Sequence, residues 1–523
     1  MEQSDRNICY IQISGPSNEN QRSKHRKSGI PEDNKNTNDR IMNPVLVAFL
    51  LGGYFLMLIL IAHLTGKSAT TETFFTANRK SPWFVVAFGM IGTTISGVTF
   101  ISVPGEVGNS ASTYFQFIMG NLVGFWIVAL VLLPVYYKLN LVSIYTYLEQ
   151  RFGFYAYKSG SFFFLLSRTV GAAFRMYLVA EVLQLALFDA LGIPFAVTVL
   201  ISIFLIWVYT YKGGVKTIIW TDSLQTIFLL AAVIMTIYYI FSSFGWSAGE
   251  TMQKIYAHPY SRIFEWDIKS SKYFFKQFLA GIFVTIVMVG LDQDMMQKNL
   301  TCKSLKEAQK NMLTFSSIFV LVVGMFLLLG VLLYLFAKSN GIPLPQKSDF
   351  LFPMLALNHM NLMIGIFFLL GITAANYASA DSALTSLTTA FCVDFLNISK
   401  HEQTRKQTLL RRTHIGFSLL LFLVIMIFRL INDQSVVVAV FKAAGYTYGP
   451  LLGLFSFGLL TKKQVKDRWV PLVALCSPFI AWFIDLFSAQ LINGYKIGFE
   501  LIIINGGITF LGLLFIQKKQ HNS

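Results

Sequence analysis

The chain has 523 residues, of which 54% are hydrophobic and only 13% are charged. Soluble proteins carry about 25% charged residues, so this composition excludes an ordinary soluble domain. The net charge of +16 does not indicate a nucleic-acid partner, because the basic residues lie between apolar segments and no nucleic-acid-binding motif accompanies them.

Residues 1–41 are polar, rich in Asn, Ser, Lys and Arg, and without apolar periodicity. Such a segment buries too little apolar surface to fold, so we expect a disordered N-terminal tail. It contains no apolar region of a secretory signal peptide. The sequence also permits a start at Met42, because MNPVLVAFLLGGYF opens directly into an apolar stretch.

Residues 42–516 contain recurring apolar stretches of about twenty residues, which is enough to cross the roughly 30 Å hydrocarbon layer as helices. These stretches do not alternate between apolar and polar residues, as the strands of a membrane barrel do. We therefore predict an all-α membrane protein with about thirteen transmembrane helices, at residues 42–63, 83–108, 115–137, 160–188, 193–211, 217–243, 273–297, 311–337, 360–395, 413–431, 436–460, 469–491 and 499–516.

The loops between these spans differ in their basic residues. Loops after odd-numbered spans, together with the C-terminal tail of residues 517–523, hold 23 Lys and Arg residues, Lys298 among them, whereas the opposite loops hold 7. Because basic loops stay in the cytoplasm, we expect a multi-pass protein of the inner membrane with its C-terminus in the cytoplasm and its N-terminus outside.

The middle of the second span, GTTISG at residues 92–97, forms helix poorly and is rich in hydroxyl groups. An interruption there would leave carbonyl oxygens free to bind a cation. A small-residue surface for close helix packing explains the same string equally well. The string alone leaves both interpretations open.

Charged residues occur within or near several later spans. Arg168 and Arg175 lie seven residues apart in the fourth span and share a helix face, where a guanidinium can hold an anionic group. Asp222 lies early in the sixth span. Asp294 lies near the end of the seventh span, and we expect it to extend toward the membrane interface.

The ninth span contains GITAANYASADSALTSLTTA at residues 371–390. Hydroxyl groups at helical spacing share one face of it, those of Ser379, Ser382, Ser386 and Thr389. Asp381 lies among them near the middle of the membrane, where an ionisable side chain is a functional candidate by default. A structural pair of Asp381 with an arginine is the alternative.

Several strings, taken together and in this order, resemble the sodium:solute symporter family, whose members transport sugars, proline, sialic acid, iodide and vitamins. The strings are TETFFTANRKSPWF, GTTISGVTFISVPG, SIYTYLEQRFG, GGVKTIIWTDSLQ, GLDQDMMQKNLTCKSLKEAQK, ASADSALTSLTTAFCVDF and GYTYGPLLGLFSFGLL. The resemblance covers nearly everything from Met42 to the last span. It implies a leucine-transporter type of fold, in which the second to sixth and the seventh to eleventh spans form two inverted five-helix repeats.

The resemblance also implies a sodium (Na+) site between an interrupted second span and the ninth span. In this chain its ligands would be the backbone carbonyls of Gly92, Ile95 and Ala375 and the hydroxyl of Ser379. The family usually has a second hydroxyl where this chain has Ala378, so that position of the site lacks its ligand. Carbonyl and hydroxyl oxygens are suitable ligands for a hard ion such as sodium.

A second cation site is expected beside the first. Asp222 matches an aspartate that is linked in some family members to a second sodium, and Asp381 is close in sequence to the ninth-span ligands. We therefore expect Asp222, Asp381, Ser379 and Ser382 to form or support this second site.

Candidate solute-binding residues lie beside the second-span interruption and on the third and fourth spans: Thr94, Thr99, Phe100, Gln116, Asn121, Arg168 and Arg175. The resemblance implies that Arg168 lies where the sialic acid members of the family hold the substrate carboxylate. Val289 stands where the sugar members have an aromatic gate. We therefore expect a small organic acid or another anion rather than a glucose-type sugar.

The sequence thus predicts a secondary active transporter that couples sodium to a small organic solute by alternating access across the lipid bilayer. It contains no nucleophile elbow, metal motif or phosphate loop, so we expect no enzyme. Two alternatives stay open. A proton-coupled symporter would explain the missing hydroxyl at Ala378 and the additional carboxyl group of Asp381. A solute-sensing receptor would need a separate signalling partner.

Overall fold

The computed structural model describes residues 43–66, 76–210, 214–431, 435–491, 495 and 497–518. Within these residues the chain is built from helices, and β-pairing is limited to isolated bridges between Ser81 and Cys302 and between Val465 and Gln517. The expected disordered tail of residues 1–41, the alternative start at Met42 and most of the C-terminal tail lie outside the described residues.

The first seven predicted spans correspond to α1 (Pro44–Gly66), α2 (Trp83–Thr94), α3 (Gly97–Ser110), α4 (Tyr114–Ile127), α5 (Leu133–Lys138), α6 (Thr146–Arg151), α7 (Phe154–Leu183), α8 (Phe195–Thr210), α9 (Gly214–Phe244), α10 (Ala248–Ala257), α11 (Phe274–Thr285) and α12 (Gln293–Asn299). Short helices α6 and α10 lie in connections between spans. A π-helical turn joins α4 to α5, and similar turns extend α7 and α11.

The remaining spans correspond to α13 (Leu305–Ser339), α14 (Leu351–Met354), α15 (Leu362–Asp394), α16 (Gln403–Ile431), α17 (Val436–Thr447), α18 (Gly449–Leu460), α19 (Val470–Leu491) and α20 (Leu501–Phe515). The long helix α15 is central to the packing, because it contacts α2, α3, α7, α9 and α12. The predicted ninth span is a continuous helix, since α15 runs from Leu362 to Asp394.

A helix or a broken helix pair lies at each of the thirteen predicted spans. Among the described residues, eight helices are long and apolar enough to cross a membrane, or ten if each of two bent pairs counts as one span. The apolar helices α2, α8 and α20 are shorter. The prediction of a helical membrane protein is confirmed, and the count of thirteen remains a prediction.

The outer helices expose large apolar side chains, including Phe49 on α1, Leu430 on α16, Phe479 on α19 and Phe515 on α20. Water-soluble proteins rarely expose contiguous apolar surface of this kind. A bilayer covers it without such a penalty, since lipid tails are as apolar as the side chains themselves.

The second span is interrupted between α2 and α3. Ile95 has φ −82° and ψ 82°, and Ser96 is extended with φ −75° and ψ 173°. The predicted interruption is therefore confirmed. Close packing is present as well, because a Cβ atom on Gly92 would lie 2.5 Å from Oγ1 of Thr226, and one on Gly97 would lie 2.2 Å from Cγ2 of Val179.

The seventh span is also interrupted, which the sequence pattern did not predict. The extension of α11 ends at Gly290, and the axis of α12 is turned by 68° from it. Asp292 caps α12, since its Oδ1 accepts a hydrogen bond from the Asp294 backbone N–H at 2.9 Å. The two interruptions fall on the first span of each expected repeat.

Candidate functional site

The interruption of the second span leaves carbonyl oxygens without backbone partners. Across it, the backbone hydrogen bonds run from Ile95 N to Ile91 O, from Ser96 N to Thr94 O and from Phe100 N to Ser96 O. None of them ends on the carbonyl oxygens of Gly92 or Ile95. These two predicted sodium ligands are therefore free to accept a cation, because no backbone N–H of the described residues competes for them.

The other predicted ligands lie on α15, which packs against α2. Ala375, Ala378 and Ser379 are buried there. In the part of the chain that the structure describes, the Ser379 hydroxyl makes no hydrogen bond to another group. Ala378 brings no oxygen from its side chain, so Ser379 alone offers a hydroxyl at this pair of positions.

Asp222 is fully buried on α9, and its carboxylate already has a cationic partner. The Lys298 ammonium lies 2.5 Å from Oδ2 of Asp222, and the Thr93 hydroxyl donates to the same oxygen at 2.8 Å. Lys298 is only 2% exposed. The expectation that Lys298 belongs to a basic cytoplasmic loop is wrong, because the bend of the seventh span turns α12 into the protein interior.

The other predicted members of the second cation site contact different groups. Oδ2 of Asp381 accepts a hydrogen bond from the Tyr209 hydroxyl at 2.9 Å, and its buried Oδ1 has no partner among the described residues. Ser382 donates to Oδ1 of Asp294. No arginine pairs with Asp381 within the described chain, so the alternative of an Asp–Arg pair is wrong. In this conformation, Asp222, Asp381 and Ser382 do not share one set of partners.

Arg168 is held in a buried ion-pair network at the start of α12. Its guanidinium contacts Oδ2 of Asp294 and lies 3.8 Å from Oδ2 of Asp292. Asp292 also accepts a hydrogen bond from the Tyr448 hydroxyl at 2.5 Å. Asp294 is buried, so the expectation that it extends to the membrane interface is wrong. The positive charge of Arg168 is neutralised within the protein.

A cavity of about 100 Å³ lies beside the second-span interruption. The predicted solute-binding residues in its wall are Thr94, Thr99, Asn121, Arg168 and Arg175. The rest of the wall is mainly apolar and aromatic, and includes Tyr114, Phe117, Met288, Val289 and Phe441. A largely apolar wall with a few polar groups is typical of small-molecule sites.

Two predicted solute-binding residues, Phe100 and Gln116, lie outside this cavity wall, and their role in binding stays a prediction. Phe100 is fully buried among the rings of Phe326, Phe352 and Phe368. It follows Thr99 by one residue, so it points about 100° away around the helix. Gln116 instead fixes the α10–α11 connection, where its amide donates to Lys272 O at 3.0 Å and accepts from Glu265 N at 3.1 Å.

Arg175 differs from Arg168 although both lie on one face of α7. It is partly buried and lines the cavity, and no acidic side chain of the described residues lies within 4 Å of it. A guanidinium that is not paired within the protein can receive a carboxylate with two parallel hydrogen bonds. The geometry therefore favours Arg175 as the group that faces an anionic solute.

The polar side chains of α12 are the main feature that the sequence did not reveal. Asp292, Asp294 and Lys298 link this short helix to α7, α9 and α15. The sequence indicated the start of α12 only through nearby residues: Gly290 is followed two residues later by Asp292, which is suited to capping a helix. The long-range pairing of Lys298 with Asp222 had no counterpart in the sequence pattern.

Comparisons with known proteins agree with this architecture. A model of the sodium:solute symporter family matches residues 74–467. The chain is 25% identical over 465 residues to a sodium/sialic acid symporter of Aliivibrio fischeri, with 85% of this chain and 88% of that protein covered. It is 26% identical over 486 residues to a sodium/sialic acid symporter of Proteus mirabilis, with 90% and 96% covered.

Among solved structures, the substrate-bound, outward-open state of a Na+-coupled sialic acid symporter has the same fold. The TM-score is 0.76 at 21% sequence identity, and the match covers 92% of this chain and 100% of that chain. The fold type predicted from the sequence is thereby confirmed.

Proposed function

The chain belongs to the sodium:solute symporter family, and from this premise we propose where its ion and its solute bind. It is a multi-pass, sodium-coupled secondary transporter that works by alternating access, and not an enzyme. The ion site that we propose lies between the α2–α3 interruption and α15, and the proposed solute is a small organic acid.

The proposed sodium ligands are the carbonyls of Gly92, Ile95 and Ala375 and the hydroxyl of Ser379. Support comes from the carbonyls at the interruption and from the hydroxyl on the facing helix, which have no hydrogen-bond partner among the described residues. Ala378 adds no oxygen, so one fewer protein ligand is available than in a site with two neighbouring hydroxyls. We expect weaker sodium binding as a consequence, or a water molecule in the place of the missing ligand.

The proposed solute contact is an ion pair between a carboxylate and Arg175, with Thr94, Thr99 and Asn121 beside it. Relatives named as sialic acid symporters carry an acid, which agrees with an unpaired guanidinium in the cavity. Ligand pockets usually measure roughly 300–1,000 Å³. The cavity of about 100 Å³ must therefore widen for a solute as large as sialic acid.

The proposal depends mainly on one observation: the interrupted segment lies at both the proposed sodium site and the proposed solute site. Gly92 and Ile95 supply the free carbonyls, while Thr94 and Thr99 line the cavity. A sodium ion that fixes this segment against α15 also fixes part of the cavity wall. Because such coupling is reciprocal, bound solute raises the affinity for sodium by the same factor.

The proposed orientation places the C-terminus in the cytoplasm and the N-terminus outside, in the inner membrane. Its support is the excess of basic residues in the loops after odd-numbered spans, which remains after Lys298 is removed from the count. In this orientation an inwardly negative potential contributes about 2.3 kcal/mol per charge and 100 mV to sodium entry.

Uptake into proteoliposomes tests the proposal. Labelled sialic acid, other carboxylates and glucose are offered with an inward gradient of sodium or, as the control, of choline. We expect an acid to accumulate above its equilibrium level with sodium alone, and glucose to remain at the background level. Accumulation of an uncharged sugar but of no acid contradicts the proposed solute class, and uptake that is the same with choline contradicts sodium coupling.

Coupling to protons is a second candidate, and one observation favours it. Oδ1 of Asp381 is buried near the proposed ion site and has no hydrogen-bond partner among the described residues. A carboxyl group that binds and releases a proton during transport also lacks such a partner in one of its two protonation states. Replacement of sodium by choline at constant pH distinguishes the two candidates. Uptake that persists without sodium under an inward proton gradient supports proton coupling.

A further inference from the structure

The buried ion pair of Lys298 and Asp222 joins three helices. Lys298 on α12 donates to Thr93 on α2 and lies 2.5 Å from Oδ2 of Asp222 on α9. The Thr93 hydroxyl donates to this same carboxylate oxygen at 2.8 Å. Lys298 and Asp222 are 2% and 0% exposed, respectively, so water screens this interaction little.

The position of the pair relates it to the transport site. Thr93 lies between Gly92, whose carbonyl is free, and Thr94, which lines the cavity. The ammonium group therefore fastens the last turn of α2, immediately before the interruption, to the neighbouring helix α9. A bound cation that bridges a carboxylate and a hydroxyl would connect the same two helices.

The pair also occupies the carboxylate that a second sodium would need. Oδ2 of Asp222 receives both the ammonium and the Thr93 hydroxyl, and Ser382 donates its hydroxyl to Asp294 instead. A sodium ion at Asp222 would lie next to a buried ammonium in a poorly screened environment, where like charges repel strongly.

We propose that the Lys298 ammonium takes the place of a second coupling cation, so that this chain binds one sodium ion and not two. The inference rests on the proposed function, and it specifies the number of ions that each transport cycle uses. The tethered cation stabilises the α2–α9 contact in every cycle, but it is not carried across the membrane and adds nothing to the driving force.

Equilibrium binding of radioactive sodium to the purified full-length protein tests the inference. We expect one sodium ion per wild-type chain at saturation. Two ions per wild-type chain overturn the inference while leaving sodium coupling intact. No bound sodium contradicts the proposed function itself, and the inference falls with it.

Substitutions at the pair give a second test. Lys298→Met removes the tethered cation and leaves Asp222 free, so we expect two sodium ions per chain. Lys298→Met combined with Asp222→Asn removes both charges, and we expect one ion again. Lys303→Met, which removes an exposed lysine nearby, is the matched control and is expected to bind one ion. A count of one for folded Lys298→Met protein overturns the inference.

If Lys298→Met does not fold, the sodium counts of the wild type and of the double variant remain as tests. The double variant leaves no buried charge of the pair unpartnered. Two sodium ions per chain in either protein contradict the proposal that Lys298 replaces the second cation.

Discussion

The role of an arginine in this protein depends on its partners and not on its position in the span. Arg168 and Arg175 lie on one face of α7, and the family resemblance favoured Arg168 as the ligand of an anion. In the structure, Asp292 and Asp294 neutralise Arg168, whereas Arg175 faces the cavity without an acidic partner among the described residues. The distinction comes from residues more than a hundred positions away along the chain.

Arg175→Ala is expected to reduce the uptake of an acidic solute at low concentration by about ten- to a hundredfold, because a hydrogen bond to a charged group contributes about 1.5–3 kcal/mol. Arg175→Lys should fall between Ala and the wild type, since it keeps the charge but loses the planar fork. Arg262→Ala removes an exposed arginine and serves as the control. Uptake by Arg175→Ala at the level of this control excludes the proposed contact.

Ser379→Ala is expected to raise the sodium concentration for half-maximal uptake by about tenfold, because the site loses a hydroxyl that contacts a charge. The control is Ser386→Ala on the same helix, where the hydroxyl is already bonded to the Ala383 carbonyl at 2.9 Å. Equal sodium dependence of the two variants would exclude Ser379 as a ligand.

Ala378→Ser tests the same site in the opposite direction. It restores the hydroxyl that the family usually has, and we expect the half-saturating sodium concentration to fall by roughly fivefold, which corresponds to about 1 kcal/mol. Titration of uptake with sodium at constant ionic strength measures the effect. An unchanged or higher half-saturating concentration, in protein that still transports, means that no ion lies next to this position.

At the level of helices, interruptions and close approaches position the site. The interruption between α2 and α3 was predictable because glycine and hydroxyl residues cluster at 92–97, but the bend before α12 was missed since one glycine and one aspartate are a weak signal.

Close packing of α4 against α11 depends on glycine. A Cβ atom on Gly120 would lie 2.0 Å from the Phe278 carbonyl oxygen, and one on Gly281 would lie 2.1 Å from that of Phe117.

Gly281→Ala is expected to destabilise the protein by about 1–3 kcal/mol, because the added methyl group forces the backbones of α4 and α11 apart. Gly416→Ala on α16 is the control, since a Cβ atom there meets nothing within 4 Å and alanine favours the helix. The apparent melting temperature in detergent measures the difference. If Gly281→Ala melts at the temperature of Gly416→Ala, the close contact of α4 and α11 is not what stabilises this region.

At the scale of the whole molecule, the sequence predicted the helical membrane architecture and its fold type, because apolar length and the order of several motifs are properties of the chain itself. It also placed Thr94, Thr99, Asn121 and Arg175 near one cavity. The sequence did not reveal how the buried charges pair. Lys298 and Asp222 are separated by 76 residues, and only the folded bundle brings them together.

The pairing of buried charges also organises the bundle around α12. This helix contacts α7 through Arg168, α9 through Asp222 and α15 through Ser382, so a movement of α12 changes all three contacts together. Helices linked in this way tend to move between discrete arrangements rather than deform gradually. We therefore expect alternating access in this chain to break these buried contacts or to move them together.

The proposed sodium site lies between the second-span interruption and Ser379. The most direct test is a pair of experimental density maps of the purified protein, one in sodium chloride and one in choline chloride, at a resolution that shows a bound ion. We predict a peak in sodium alone, coordinated by the carbonyls of Gly92, Ile95 and Ala375 and the hydroxyl of Ser379. Identical maps at this position, or a sodium peak only at another place in the bundle, would contradict a sodium site here.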